Sequence, residues 1–217
     1  QKPPYIWFLF FLVAPGFILE ENANGDQDNK AEQIVAASRS GYYKTRDMSL
    51  DFVYEVKGVT SRLSRQKGTL KLQQKKYVLK MREQETYCDG NKVWVYLPRY
   101  NEYMVFNYGE WSYGSVMSLF YSMYYGPSEK TYQGLELQDD GRKAHKIRFR
   151  MSNQSPYFST AYAWYAEKTN QLTRVTFLDR RRRQRSFFFS NRKINSGFNQ
   201  GIFVFHPEDH PDIELRR

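Results

Sequence analysis

The chain reads ETYCDGNKVWVYL over residues 85–97, and this stretch indicates the fold. Two strand-like runs flank Asp89-Gly90. An Asp-Gly pair between such runs is a strong signal for a tight hairpin, because the central positions of the turn need positive φ. The stretch therefore predicts two antiparallel strands joined by a short turn at Asp89 and Gly90.

The strand pattern continues on the N-terminal side of this hairpin, where apolar residues alternate with polar ones. Strands that are apolar on one face only are typical of antiparallel sheets with one face in water. We predict three strands here, with these residues on the apolar faces: Leu50, Phe52, Tyr54 and Val56 in the first, Leu70 and Leu72 in the second, and Tyr77, Leu79 and Met81 in the third.

On the C-terminal side, turn residues separate further runs of the same kind. Turns are expected at residues 98–101, 139–141, 168–170 and 179–183, and strands over residues 102–107, 130–137, 145–151, 160–167, 172–179, 184–190 and 201–205. Short connections favour sequential antiparallel neighbours. The sequence has no alternation of strands and helices of the kind that predicts a parallel sheet.

Two segments have helical spacing instead of strand alternation. The first covers residues 30–38, with Asp28 and Asn29 as candidate N-terminal caps. The second is a short apolar helix over residues 115–125. We therefore expect a mainly β (α+β) fold in the order helix, meander, short helix, meander.

Composition is consistent with one β-rich domain. The chain has 217 residues, 41% of them hydrophobic, and an aromatic share of 18% that favours half-buried pleated surfaces. The formal net charge of +10 suits nucleic acid, an anionic membrane surface or an acidic partner, and charge alone does not choose among them.

The first 25 residues form a separate segment. Lys2 precedes an apolar run over residues 5–19, and Ala23 and Gly25 follow in the small-residue spacing that a signal peptidase reads. We predict a secretory signal peptide over residues 1–25 and a domain over residues 26–217. An uncleaved N-terminal anchor is the alternative, although the run is shorter than the roughly 20 apolar residues of a membrane span.

Residue types for catalysis are sparse. Cys88 is the one cysteine, so no intrachain disulfide can form, and a nucleophilic role would require one of three histidines nearby. His206 and His210 could be drawn as metal ligands, but Pro207 and Pro211 argue against a helix that would bring them together. We predict no catalytic residues, no metal and no cofactor.

Five arginines form the densest charge cluster: Arg180, Arg181, Arg182, Arg183 and Arg185. Basic runs raise the question of nucleic acid, but this one lies in a predicted hairpin of an exported chain. The expected structure is a solvated turn, and the functional alternative is contact with an anionic membrane or an acidic partner, which salt would weaken.

The order of four segments resembles the periplasmic lipoprotein carrier LolA and related outer-membrane lipoprotein-sorting proteins. They span nearly all of residues 30–215 and are the opening helix leading into MSLDFVY from Met48, the strands GTLKLQ from Gly68 and KYVLKM from Lys76, the hairpin YCDGNKVWVYLP from Tyr87, and the closing FVFHP from Phe203.

The resemblance implies an incomplete barrel of about eleven antiparallel strands, with helices across its open mouth. It also implies a non-enzymatic, monomeric periplasmic carrier of acylated lipoprotein or lipid, loaded by an inner-membrane releasing complex and unloaded at an outer-membrane acceptor. The alternative function is that of a barrel module of the same type, which binds a protein partner or signals in the envelope.

The resemblance further implies which residues line a lipid cavity: Tyr77, Leu79 and Met81, with Leu70 and Leu72 beside them and Val93, Val95 and Leu97 from the hairpin. The hairpin face with Trp94 and Tyr96 could point inward instead. One departure concerns an Arg-Pro pair that latches the helical lid in relatives, since QQKK from Gln73 occupies its place here. The latch is therefore absent or rebuilt.

Overall fold

A computed structural model describes residues 21–58, 63–111, 129–150, 158–179, 181 and 183–216. The helices there are α1 (Glu21–Tyr43) and α2 (Tyr108–Trp111), with short 3-10 helices at Gln200–Phe203 and Pro207–Asp209. The strands are β1 (Met48–Lys57), β2 (Ser64–Gln73), β3 (Lys76–Met81), β4 (Glu85–Cys88), β5 (Lys92–Leu97), β6 (Glu102–Asn107), β7 (Glu129–Leu137), β8 (Lys143–Arg150), β9 (Phe158–Ala166), β10 (Leu172–Asp179), β11 (Gln184–Ile194) and β12 (Glu214–Leu215).

The twelve described strands form one open sheet in the order β12-β6-β5-β4-β3-β2-β1-β11-β10-β9-β8-β7. All pairs are antiparallel except the two-residue pair of β12 with β6, which is parallel. The order begins and ends at different strands, so the sheet does not close. An incomplete antiparallel barrel with a helix is thus confirmed, with one very short strand more than the eleven expected.

The hairpin of residues 85–97 is present, but its turn is displaced by one residue. Asp89 donates its amide to the carbonyl of Lys92 at 3.3 Å, so Gly90 and Asn91 are the central residues. Gly90 has φ of +97°, and glycine at the first central position is the choice of a type II′ hairpin. The Asp89 carboxylate accepts from the amides of Asn91 and Lys92, both at 2.8 Å.

Strand alternation places the core on one face of the sheet, called the inner face below. Leu50 on β1 lies opposite Leu70 on β2, which lies opposite Leu79 on β3. All three are buried in a single hydrophobic cluster that also includes side chains from β5 and from β8 to β11. Helix α1 adds Ala31, Ile34 and Val35 to this cluster, so the helix lies against the inner face.

Helix α1 is longer than expected at both ends. It runs from Glu21 to Tyr43, so the candidate caps Asp28 and Asn29 lie inside it and the capping prediction is wrong. The exposed face of the helix tolerates these polar residues, and the Asn29 side chain accepts a hydrogen bond from the Gln33 side chain one turn later. Most of the predicted signal peptide lies outside the described residues, as does the helix expected over residues 115–125.

The strand expected at residues 201–205 is wrong. The chain forms a 3-10 helix at Gln200–Phe203, where the Asn199 side chain accepts from the Gly201 amide at 3.0 Å. Phe203 and Phe205 are both buried, which explains the alternating pattern in the sequence. They pack through their rings and not through a strand ladder. In the part of the chain that the structure describes, no helix is long and apolar enough to cross a membrane.

Candidate functional site

The eight predicted cavity residues all lie on the inner face. Pairing across β2, β3, β4 and β5 aligns Leu72 with Tyr77 and Leu70 with Leu79, and carries the same face on to Val93 and Val95. Six of the side chains are buried in the hydrophobic cluster, and two pack against it while remaining partly exposed, namely Met81 and Leu97. The strands therefore bring the whole predicted set together.

The orientation of β5, left open by the sequence, follows from burial. Val93 and Val95 are 0% and 1% exposed and belong to the inner hydrophobic cluster. Trp94 and Tyr96 point to the opposite, outer face, where Tyr96 stacks on Phe205 with ring centres 5.2 Å apart. The residues after β11 cover this part of the outer face, because Phe205 also packs on Tyr87 and Tyr103.

Apolar side chains on the inner face extend beyond the buried core towards the sheet edge at β6. Met104 lies opposite Val95, and Phe106 lies opposite Val93. Both are only partly buried, as are Met81 and Leu97. Sequence reasoning missed Met104 and Phe106, although the alternation of β6 after the turn at residues 98–101 could have identified them.

Helix α1 crosses the inner face and is attached by polar contacts at its middle and near its C-terminal end. At the middle, Glu32 pairs with Lys130 of β7 at 2.6 Å, and the Lys30 ammonium lies 4.2 Å from the Tyr132 ring centre. Near its C-terminal end, the Tyr42 hydroxyl donates to the carbonyl oxygen of Gln74 at 3.3 Å. Burial raises the pKa of Tyr42, so this hydroxyl stays protonated as a donor.

The Tyr42 contact falls in the turn between β2 and β3, at the position where the resemblance to lipoprotein carriers implied a latch for the helix. Gln74 has φ of +55°, and its carbonyl is the acceptor. A tyrosine hydroxyl from the helix thus ties α1 to this turn, and the chain has a contact between helix and turn without the arginine.

Cys88 is fully buried on the inner face, opposite Tyr77 and Val93. Burial raises the pKa of its thiol to about 11. The sulfur accepts from the Gly90 amide at 3.4 Å, within the hairpin turn. A thiol with this pKa is protonated at neutral pH and is a poor nucleophile, since the thiolate is the reactive form.

The arginine cluster is divided by the structure. Arg183 pairs with the buried carboxylate of Asp179 at 2.6 Å. Burial would raise the pKa of Asp179, but the Arg183 amide and guanidinium and the Arg181 amide lower it. Arg185 lies on the inner face, opposite Phe177 and Val56. Arg180 and Arg182 lie outside the described residues, and membrane or partner contact by this cluster stays a prediction.

The two C-terminal histidines have separate surroundings. His206 contacts Glu208 at 2.9 Å, whereas the His210 ring packs against the rings of Tyr96 and Phe205, with ring centres 4.5 and 4.9 Å apart. Both border a cavity of about 360 Å³ on the outer face, between strands β2 to β4 and the C-terminal segment. The wall also includes Lys71.

Together these features define an open antiparallel barrel with an apolar inner face crossed by a helix. No family model matches this sequence, and no curated protein matches it. An uncharacterized conserved protein from Thermus thermophilus has a similar solved structure, with a TM-score of 0.59 and 12% identity over 87% of this chain and 99% of that one.

Solved structures of two further proteins are also similar. LolA superfamily protein NE2245 from Nitrosomonas europaea has a TM-score of 0.44 and 8% identity, over 81% of this chain and 97% of that chain. The Mycobacterium tuberculosis lipoprotein LppX has a TM-score of 0.48 and 17% identity, over 79% and 98%. At 12% identity, the likeness to the Thermus thermophilus protein is one of fold alone.

Proposed function

We propose that this chain is a non-enzymatic, extracytoplasmic carrier that holds acyl chains of lipoproteins or lipids against its inner face. The observation that carries the proposal is the continuity of that face, which runs from the buried core to the partly exposed Met81, Leu97, Met104 and Phe106. An acyl chain could begin its contact on these partly exposed side chains. The predicted signal peptide supports a site of action outside the cytoplasm.

The energies favour a helix that an acyl chain can displace. Helix α1 buries three side chains in the cluster, Ala31, Ile34 and Val35. Exposing them would cost roughly 4–7 kcal/mol at typical transfer energies. Burying an acyl chain of about a dozen carbons gains on the order of 8–10 kcal/mol, at ~0.8 kcal/mol for each CH₂. An acyl chain can therefore replace the helix on the inner face, and α1 would act as a lid.

Neighbouring residues on β6 provide a matched test. Met104 points to the inner face, whereas Val105 is 41% exposed on the outer face. Binding of monolauroylglycerol, kept below its critical micelle concentration, is measured by isothermal titration calorimetry. We expect Met104→Glu to weaken binding at least tenfold, because a carboxylate would have to lose its water beside the acyl chain. Val105→Glu should bind like the wild type.

Equal binding by the two variants, with both of them folded by circular dichroism, would place the acyl chain elsewhere. Absence of binding by the wild type would remove the carrier proposal. The alternative, a barrel that binds a protein partner, would then be the function to test. The outer-face cavity favours that alternative, because it exposes Lys71, Tyr87 and His210 together beside the C-terminal segment.

A further inference from the structure

Arg185 is a cationic side chain on the largely apolar inner face. Its guanidinium lies 5.6 Å from the ring centre of Phe158, which belongs to the hydrophobic cluster. Its Nε is buried and has no hydrogen-bond partner among the described residues. Asp179, the carboxylate of the same hairpin, is already paired with Arg183. A buried donor without an acceptor is costly, and in native proteins it needs an explanation such as an absent ligand.

Gln66 is a second polar side chain on this face with an unsatisfied atom. It lies opposite Tyr54 on β1, and its buried Oε1 has no donor among the described residues. Arg185 lies opposite Val56, the next inward residue of β1, on the other side of that strand. The two residues flank β1 and are offset by two residues along it, so their backbones are about 12 Å apart at the usual strand spacing and rise per residue. One head group can therefore meet both long side chains.

The situation of Arg185 differs from that of a second buried arginine. Arg174 also has a buried Nε without a hydrogen-bond partner among the described residues, but it lies on the outer face of β10. Its guanidinium stands 4.2 Å from the Trp164 ring centre and 4.8 Å from that of Phe188. Two close ring faces stabilise a cation well, whereas one ring at 5.6 Å does so weakly. Arg185 is therefore the arginine that needs an anion.

We propose that the ligand is an amphiphile with an anionic head, and that Arg185 binds this head while Gln66 accepts a hydrogen bond from it. The proposal rests on the carrier function above. Carboxylate and phosphate groups match the planar donors of arginine, and a glycerol hydroxyl would supply the donor that Gln66 requires. From Gln66 the inner face continues along β2 to Leu70 and Leu72, which would contact the acyl chain.

Two amphiphiles that differ only in a phosphate test the proposal. Monolauroylglycerol and its phosphate, lauroyl lysophosphatidic acid, are titrated below their critical micelle concentrations in phosphate-free buffer. We expect the wild type to bind the phosphate form at least tenfold more tightly, as charge-assisted hydrogen bonds usually allow. Arg185→Gln should lower the affinity for the phosphate form to that of the neutral form. Arg174→Gln should leave both affinities unchanged.

A second variant separates charge from shape. Arg185→Lys keeps the charge but not the paired donors, so it should retain part of the preference for the phosphate form. Thermal unfolding of each variant shows whether it is folded. Gln66→Leu should cause a smaller loss of binding affinity, because it removes only one neutral hydrogen bond.

The outcomes distinguish this inference from the carrier function. If the wild type binds both amphiphiles equally, or Arg185→Gln keeps the preference, the anionic-head inference is overturned while the carrier function stands. If the wild type binds neither amphiphile, both fall. If inorganic phosphate alone binds as tightly as the phosphate amphiphile and is lost in Arg185→Gln, the site is one for a free anion and the lipid head is refuted.

Discussion

Gly68 on β2 lies where the inner face has no room for a side chain. It pairs with Phe52 on β1 and with Met81 on β3. A Cβ at this position would overlap Cζ of Phe52 and would lie 2.7 Å from both Cε2 of that ring and the carbonyl oxygen of Lys80. The ring can move only by disturbing the core, and the carbonyl belongs to the backbone of β3.

We therefore expect Gly68→Ala to lower the free energy of unfolding by about 2–3 kcal/mol, in the upper part of the usual range for overpacking. For a domain of this size, that corresponds to a fall in Tm of roughly 4–12 °C. Urea unfolding followed by far-ultraviolet circular dichroism measures the difference. Gly41→Ala is the matched control, because nothing lies within 4 Å of a Cβ at Gly41 in α1. It should raise stability by about 0.5–1 kcal/mol through helix propensity.

A double-mutant cycle shows whether the Phe52 ring is the cause. Phe52→Leu removes the atoms that a Cβ at Gly68 would overlap, so the two substitutions together should cost at least about 1 kcal/mol less than the sum of their separate effects. The contact with the Lys80 carbonyl remains, so the penalty should not vanish. Additive effects, or a Gly68→Ala variant as stable as the wild type, would refute this account of the packing.

Two further predictions follow from buried ionisable groups. Burial would raise the pKa of the Asp47 carboxyl, but the amides of Gly197 and Ser196 and the Arg46 side chain lower it. The ionised Asp47 carboxylate therefore stabilises the fold fully above the pKa that it has in the unfolded chain, and this stabilisation is lost as pH falls below about 4. Asp47→Asn should make the urea midpoint fall less steeply from about pH 5 to pH 3. An unchanged acid slope would contradict this. Cys88, with a pKa of about 11, should react with iodoacetamide at pH 8 roughly two orders of magnitude more slowly in the folded chain than in urea, and equal rates would contradict its burial.

Much of the sheet could be predicted from local patterns, because strand alternation and turn chemistry act over a few residues. The inward set of β1, with Leu50 and Phe52, follows from period two, since a slip of one residue would turn the whole set to water. Positive φ at Asn101, Gly141 and Asn170 marks three of the expected turns, where such residues are tolerated best. Five of the eight residues predicted for the cavity, those on β2 and β3, share one face for the same reason.

The sequence by itself determined most of the strands, where most turns fall and which side chains of β1 to β3 point inward, because these depend on short-range geometry. The tertiary structure alone decided three other features. Val93 and Val95 face inward because the C-terminal segment covers Tyr96 on the other side. Phe205 is a cover and not a strand residue, and Arg185 points to the inner face. Each depends on contacts between residues far apart in the chain, which local patterns do not encode.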